Sequence, residues 1–173
     1  GLGHAVYSGK RIIGDEPFAV LLGDEITVNL DNTSSATEDL VRAFDKTGQS
    51  GLSVMKVADD QVSKYGIAEL ESEKINHLDL GLNQSLDFYK VKSLLEKPKM
   101  EETNSRWAIT GRYVFDPQIF KILENQKPSK NNEIQLTDAI QELTRHQSVN
   151  AYPLKGKRYD AGDKLGYLMT NIE

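Results

Sequence analysis

Three short polar clusters in this chain carry residue types that could do chemistry. The first, Gly23-Asp24-Glu25, follows the uninterrupted apolar run Phe18-Ala19-Val20-Leu21-Leu22. A carboxylate there can hold Mg2+ through oxygen, with one or two protein ligands and the remainder from substrate phosphates. Read alone, Asp24 equally begins a turn. The second cluster is Glu96-Lys97-Pro98-Lys99. Glu96 could pair with a sugar hydroxyl and Lys97 with a phosphate. Neighbours in a strand point to opposite faces, so both reach one ligand only where the chain bends. Pro98 offers that bend; taken alone, the segment reads as a solvated charge run in a loop. The third cluster, Lys155-Gly156-Lys157-Arg158-Tyr159-Asp160-Ala161-Gly162, leads from basic residues to one aspartate. It could approach phosphate and metal together, but taken alone it reads as a surface basic patch.

Other chemistries are excluded or unsupported. The chain has no cysteine, which removes disulfides, thiolate-held zinc and cysteine nucleophiles. His4, His77 and His146 are far apart, with no pair at metal-ligand spacing, and His77 and His146 are expected at the surface. No serine sits in a Gly-x-Ser-x-Gly turn. Gly1-Leu2-Gly3 is too short for a dinucleotide fingerprint, and the phosphate loop of nucleotide hydrolases is absent. With 21 basic and 26 acidic side chains the formal charge is −5. That balance argues against a nucleic-acid partner, which needs a basic face, yet leaves room for a small phosphorylated ligand. No apolar run approaches the roughly 20 residues that span a bilayer, and no basic-then-apolar leader opens the chain. The expectation is a soluble protein with no membrane partner, and the lack of cysteine suits the cytoplasm.

The elements that must position these clusters alternate between helix and strand patterns, which predicts an α/β arrangement in one domain. Phe18 to Leu22 reads as a buried strand. A helix is expected around Glu38 to Lys46, with Leu40, Val41 and Phe44 as its apolar stripe. Ser35 and Glu38 have capping-box spacing, and Gly48 is the C-terminal stop. Gly51 to Val57 and Tyr65 to Leu70 read as strands, with Leu52, Val54 and Val57 in the core. Ser72 to Asp87 reads as a hairpin or variable excursion. Tyr89 to Leu95 alternates, and residues 100–106 look loop-like. Trp107 to Phe115 is a strand, and Asp116-Pro117 then opens a helix burying Ile119, Phe120 and Leu123. After an exposed loop over 125–132, a helix from Leu136 to Arg145 turns Ile140 and Leu143 inward. Val149 to Tyr152 is a strand, and a last helix starts near Asp163.

An ordered set of motifs runs through this framework. Gly1-Leu2-Gly3-His4-Ala5-Val6 and Gly14-Asp15-Glu16-Pro17-Phe18 through Gly23-Asp24 come first. Lys64-Tyr65-Gly66, Glu96-Lys97-Pro98, and Ser105 through Gly111-Arg112-Tyr113 follow. Glu133-Ile134-Gln135-Leu136-Thr137-Asp138-Ala139-Ile140, Gly156 through Gly162, and Lys164-Leu165-Gly166-Tyr167 close the series. In this order and spacing they resemble the bacterial UTP–glucose-1-phosphate uridylyltransferases, or UDP-glucose pyrophosphorylases, over nearly the whole chain.

The resemblance implies a Rossmann-like nucleotidyltransferase fold, a mixed sheet flanked by helices, with residues 1–173 forming the C-terminal part of a single domain. It implies formation of UDP-glucose and pyrophosphate from UTP and glucose 1-phosphate, with Mg2+ as cofactor and a dimer or tetramer as the assembly. By the same resemblance Asp24 holds the metal against the nucleotide phosphates, and Asp160 matches a second metal ligand of related sugar nucleotidyltransferases. Glu96 meets glucose hydroxyls, Lys97 the phosphates, and Gly66 the sugar through its backbone. Gly1 and Leu2 lie against the base.

Two positions depart from the family pattern: Arg106 stands where asparagine is usual, and Trp107 where a smaller apolar residue is usual. Family members also carry about a hundred residues ahead of the point matched by Gly1. These include the glycine-rich loop that grips the triphosphate, so this chain alone is expected to be inactive and to self-associate. Two other readings stay open at this stage: a sugar-1-phosphate nucleotidyltransferase of different base or sugar preference, and a non-catalytic UDP-sugar-binding domain.

Overall fold

A computed structural model of the chain describes residues 1–29, 34–72, 74–81, 84–162 and 164–172. Its main sheet runs in the order β1 (Phe18–Leu21), β7 (Trp107–Phe115), β3 (Gly51–Lys56), β8 (Asn150–Pro153), β6 (Gln84–Glu96), β4 (Gly66–Leu70). β5 (Asn76–Gly81) adds to β6, and β4 also touches β7. Only β3 and β8 pair in parallel among these strands; the other pairings are antiparallel. The mixed sheet flanked by helices is thus the Rossmann-like arrangement expected. A separate antiparallel ribbon joins β2 (Glu25–Asn29) to β9 (Gly156–Asp160).

Period-two alternation along β7 divides the core. Tyr113 and Phe115 face a large cluster containing Leu52, Val54, Ile119, Phe120, Leu123, Leu136, Ile140 and Leu143. Val114, between them, faces a smaller cluster with Leu40, Ala43, Leu86 and Tyr152. Helices α1 (Leu2–Ser8), α4 (Gln118–Asn125) and α5 (Leu136–Leu143) cover the first face, and α3 (Ala36–Thr47) covers the second. Between α1 and β1 lies the short α2 (Lys10–Ile13), and the chain's last helix is α6 (Lys164–Ile172).

The helix signals act as their chemistry predicts. Ser35 Oγ accepts from the Glu38 amide at 3.1 Å, and Gly48 ends α3 in the left-handed region at φ 65°. Asp116 accepts from the Gln118 amide at 2.8 Å, capping α4. His77 and His146 are exposed.

Several expectations need correction. Among the described residues Phe18–Leu21 is an edge strand bonded only to β7, with Leu21 53% exposed, because an apolar run cannot by itself distinguish a buried strand from an edge. Val41 points outward, and Ala36, Leu40 and Ala43 make the buried stripe of α3. Val57 falls just past β3 and is only partly buried. The 72–87 segment, by contrast, is the hairpin expected, β5 with the first part of one long strand, β6; Glu73, Leu82 and Asn83 lie outside the described residues. So does Asp163, where the last helix was expected to start. The opening residues form α1, docked by the Gly3 amide on the Ile134 carbonyl at 2.9 Å. No periodicity in so short a segment announces it.

Gly111 sets the approach of the functional loops. It takes φ 62° at a register shift in β7, and a methyl group on it would sit 2.9 Å from Glu25 Cγ and 3.1 Å from Leu22. A side chain there would be strained and would push the Leu22–Glu25 turn off the sheet.

Candidate functional site

The turn carrying Asp24 is held by its backbone. The Leu22 amide donates to the Gly111 carbonyl at 3.0 Å, and the Glu25 amide to the Leu22 carbonyl at 3.2 Å. Arg112, itself buried, closes the turn from below. Its Nη1 donates to the carbonyls of Leu22 and Gly111, both at 3.1 Å, and its Nη2 to the carbonyl of Glu25. The Asp24 carbonyl accepts from the Ala161 amide at 2.7 Å, leaving the exposed carboxylate uncommitted to the turn.

Asp160, at the end of β9, arrives beside it. A methyl group placed on Gly162 would lie 2.8 Å from Asp24 Oδ2 and 3.1 Å from Asp160 Oδ1, so the two carboxylates converge on the space that glycine leaves empty. Among the described residues no group of three or more His, Asp or Glu side chains gathers as a metal site. A cation at this pair would take its remaining ligands from water or phosphate. That donor set fits Mg2+, which keeps several waters and uses one or two carboxylates.

The ribbon is fastened by Arg158, whose side chain is 7% exposed. It makes a bidentate pair with Glu25 through Nε and Nη2, donates to Asp160 Oδ2 at 3.0 Å, and donates to the Tyr65 hydroxyl at 3.0 Å. Its guanidinium also lies 4.9 Å from the Tyr65 ring centroid. Burial alone would lower its pKa. The hydrogen bonds and charge of Glu25, followed by those of Tyr65, outweigh that and hold it above the ordinary arginine value. The surface-patch reading of residues 155–162 therefore fails at Arg158, because its planar fork has carboxylates on two elements to join.

A cleft of about 280 Å3 opens next to this network, between the start of β4, the end of β6 and the start of α5. Leu2, Gly66, Glu96 and Lys97 all line it, with Lys64, Tyr65, Glu25, Tyr113 and Thr137. Glu96 accepts from Thr137 Oγ1 at 2.5 Å, which fixes the carboxylate and turns it toward Gly66. A methyl on Gly66 would lie 3.0 Å from that hydroxyl and 3.3 Å from Glu96 Oε2, so a bare α-carbon keeps this corner open. The bend foreseen at Pro98 occurs one residue earlier, at Lys97, with φ 45°. It is tied by the Lys97 amide to the Tyr65 carbonyl at 3.0 Å. Lys130 Nζ donates to the carbonyls of Glu96 at 3.1 Å and Lys97 at 2.6 Å. Residues 125–132 are largely exposed, as expected, and through Lys130 they also tie down this bend. Burial, then the charges of Glu25 and Glu96, keeps the Tyr113 phenol protonated well above its usual range.

The expected residues fall into two adjoining groups. Leu2, Gly66, Glu96 and Lys97 share the cleft, and Asp24 and Asp160 form the carboxylate pair, with Glu25 and Arg158 as the bridge. Gly1 stands behind Leu2, packed on Glu133 and Ile134. Thr137, Lys130, Arg112 and Arg158 were not anticipated as site residues. Three of them lie inside the quoted motifs; for Arg112 and Thr137 the signal was a polar or cationic residue among apolar neighbours, and Arg158 offered none.

Comparison with known proteins bears on the family and the fold. The nucleotidyl transferase family is matched over residues 1–171. UTP–glucose-1-phosphate uridylyltransferases from Staphylococcus epidermidis and Streptococcus pyogenes are 40% and 42% identical across the whole chain. A third such protein, from Staphylococcus saprophyticus, is 43% identical. The chain spans 54–55% of the length of these curated relatives. A UDP-glucose pyrophosphorylase solved with UDP-glucose superposes with a TM-score of 0.87 at 36% identity, covering 99% of this chain and 61% of the other. UTP-bound UGPase from Acinetobacter baumannii gives 0.81 at 31%, covering 99% and 55%. By sequence and by fold, the chain belongs to the nucleotidyl transferase family.

Proposed function

We propose that this chain is the C-terminal, sugar-phosphate- and metal-binding part of one nucleotidyltransferase domain. The whole domain transfers the uridylyl group of UTP to glucose 1-phosphate and releases UDP-glucose and pyrophosphate. The observation that carries this reading is the junction of the Gly66–Glu96–Thr137 cleft with the Asp24–Asp160 pair through Glu25 and Arg158. The sugar hydroxyls bond to Glu96, oriented by Thr137, while the ring approaches the Gly66 backbone. Lys97 meets the phosphate, and Leu2, backed by Gly1, lies against the base.

The reaction joins two anions, so charge must be neutralised while the attacking phosphate oxygen is held in line with the departing pyrophosphate. Lys97 supplies part of that neutralisation. Asp24 and Asp160 would hold Mg2+, which when bound supplies further charge neutralisation at the phosphates. The attacking oxygen is already ionised, so no side chain has to act as general base. In this reading the protein works in the cytoplasm. The 173-residue chain, which spans 54–55% of the length of its curated relatives, is taken to bind ligand without turning it over.

Calorimetry with glucose 1-phosphate tests the cleft. Thr137→Val should weaken binding about tenfold by releasing Glu96 from its hydrogen bond, with little change in fold. Unaltered affinity in both Thr137→Val and Glu96→Gln would remove the sugar from this cleft.

The surface also bears on assembly. Leu165, Tyr167, Leu168, Met169 and Ile172 are exposed on α6, and β1 is a sheet edge. Light scattering should show the chain as a dimer or larger; a monomer across the accessible concentration range would contradict self-association.

A further inference from the structure

A second cleft, of about 500 Å3, lies at the opposite end of β4 from Gly66. Lys56, Glu69, Lys92, Arg106 and Trp107 line it. Arg106 and Trp107 meet there in one concave place that the proposed reaction does not use.

Most polar groups of this cleft are already held. Arg106 Nε bonds to Asp59 at 2.5 Å, and its Nη1 donates to the Ser105 carbonyl at 3.0 Å. Glu69 accepts from Ser93 Oγ at 2.6 Å and from Thr103 Oγ1 at 2.9 Å. Trp107 is fixed through its amide, which donates to Ser105 Oγ at 3.2 Å, and by the Tyr89 ring with centroids 5.3 Å apart. Lys56 and Lys92 are different. Both are exposed, and among the described residues neither has an ion-pair partner. Lys56 Nζ lies 5.2 Å from the Trp107 ring centroid.

Arg106 is balanced by Asp59, so the cleft carries two lysines against one Glu69 carboxylate, a surplus of one positive charge in a chain of formal charge −5. Two unpaired ammonium groups call for an anion with several acceptor oxygens, and a half-buried indole offers a π face to a ring. We propose that this cleft is a second ligand site, which takes a phosphate monoester carried on a ring. The phosphate sits between Lys56 and Lys92, the ring lies against Trp107, and Glu69 accepts from ring hydroxyls. A hexose phosphate and a nucleoside monophosphate share this chemistry.

Trp107 is the chain's single tryptophan, so its fluorescence reports on this cleft directly. The purified chain is titrated with glucose 6-phosphate, cytidine monophosphate and inorganic phosphate. The proposal expects a saturable fluorescence change with at least one ring phosphate, at lower concentration than with inorganic phosphate. The responding ligand identifies the source. Lys56→Ala/Lys92→Ala should weaken that response about tenfold or more, and Glu96→Gln should leave it unchanged. Should the double variant fold poorly by circular dichroism, Lys92→Gln alone serves the same comparison. The proposal is overturned by the absence of any saturable change. It is equally overturned by a response that survives loss of the lysines but disappears in Glu96→Gln, which would place the ligand in the other cleft.

Discussion

Replacing Arg158 with leucine is expected to cost the chain about 3–5 kcal/mol of folding stability, read as a lower midpoint in urea unfolding. The figure follows from what the substitution leaves behind. Glu25 is 10% exposed at its side chain, and its carboxylate is compensated by the bidentate guanidinium. Without Arg158 that charge is buried and unpaired, and the Tyr65 hydroxyl and Asp160 lose a donor as well. Lysine should not restore the loss, because one ammonium cannot serve three acceptors in the plane that the guanidinium fork occupies. Adding Glu25→Leu to Arg158→Leu removes both charges and should recover part of the stability. A midpoint unchanged in the single variant would show that the ribbon is held by other means.

The second large effect concerns ligand affinity without stability. Asp24→Asn should reduce the Mg2+-dependent affinity for UDP-glucose at least about a hundredfold, since loss of an outer-shell partner alone can cost that much at a metal site. The fold should be indifferent to the change. Asp24 anchors its turn through its carbonyl, bonded to the Ala161 amide, and its side chain is exposed. Asparagine has nearly the same shape and keeps those contacts. Equal melting temperatures with unequal calorimetric affinities would assign the effect to the carboxylate charge. Equal affinities would remove Asp24 from the metal's coordination.

The sequence was most legible where local chemistry decides the outcome. The Ser35 cap, the Gly48 stop and the Asp116 cap each depend on a few adjacent residues, and each is found as read. Legibility fell where long-range pairing decides. The edge position of β1 depends on what lies beside it in the sheet, which an apolar run does not encode. The ribbon of β2 and β9 joins segments more than a hundred residues apart, and neither segment advertises its partner.

The site shows the same division. Glu96 and Lys97 could be singled out as a carboxylate and an ammonium at a bend. Thr137 could not, because a threonine in the first turn of a helix has many uses, and only the fold brings it to Glu96. Arg158 was hidden by its setting. Following Lys155 and Lys157 it resembles a solvated patch, while its buried partner Glu25 lies 133 positions away.

The central claim is that the sugar cleft and the carboxylate pair act as one site, and thermodynamic linkage tests it most directly. UDP-glucose is titrated into the chain with and without Mg2+, and Mg2+ is titrated with and without UDP-glucose. Each ligand is expected to raise the affinity of the other by the same factor, as reciprocity requires for coupled sites. UDP-glucose affinity independent of Mg2+ would contradict it.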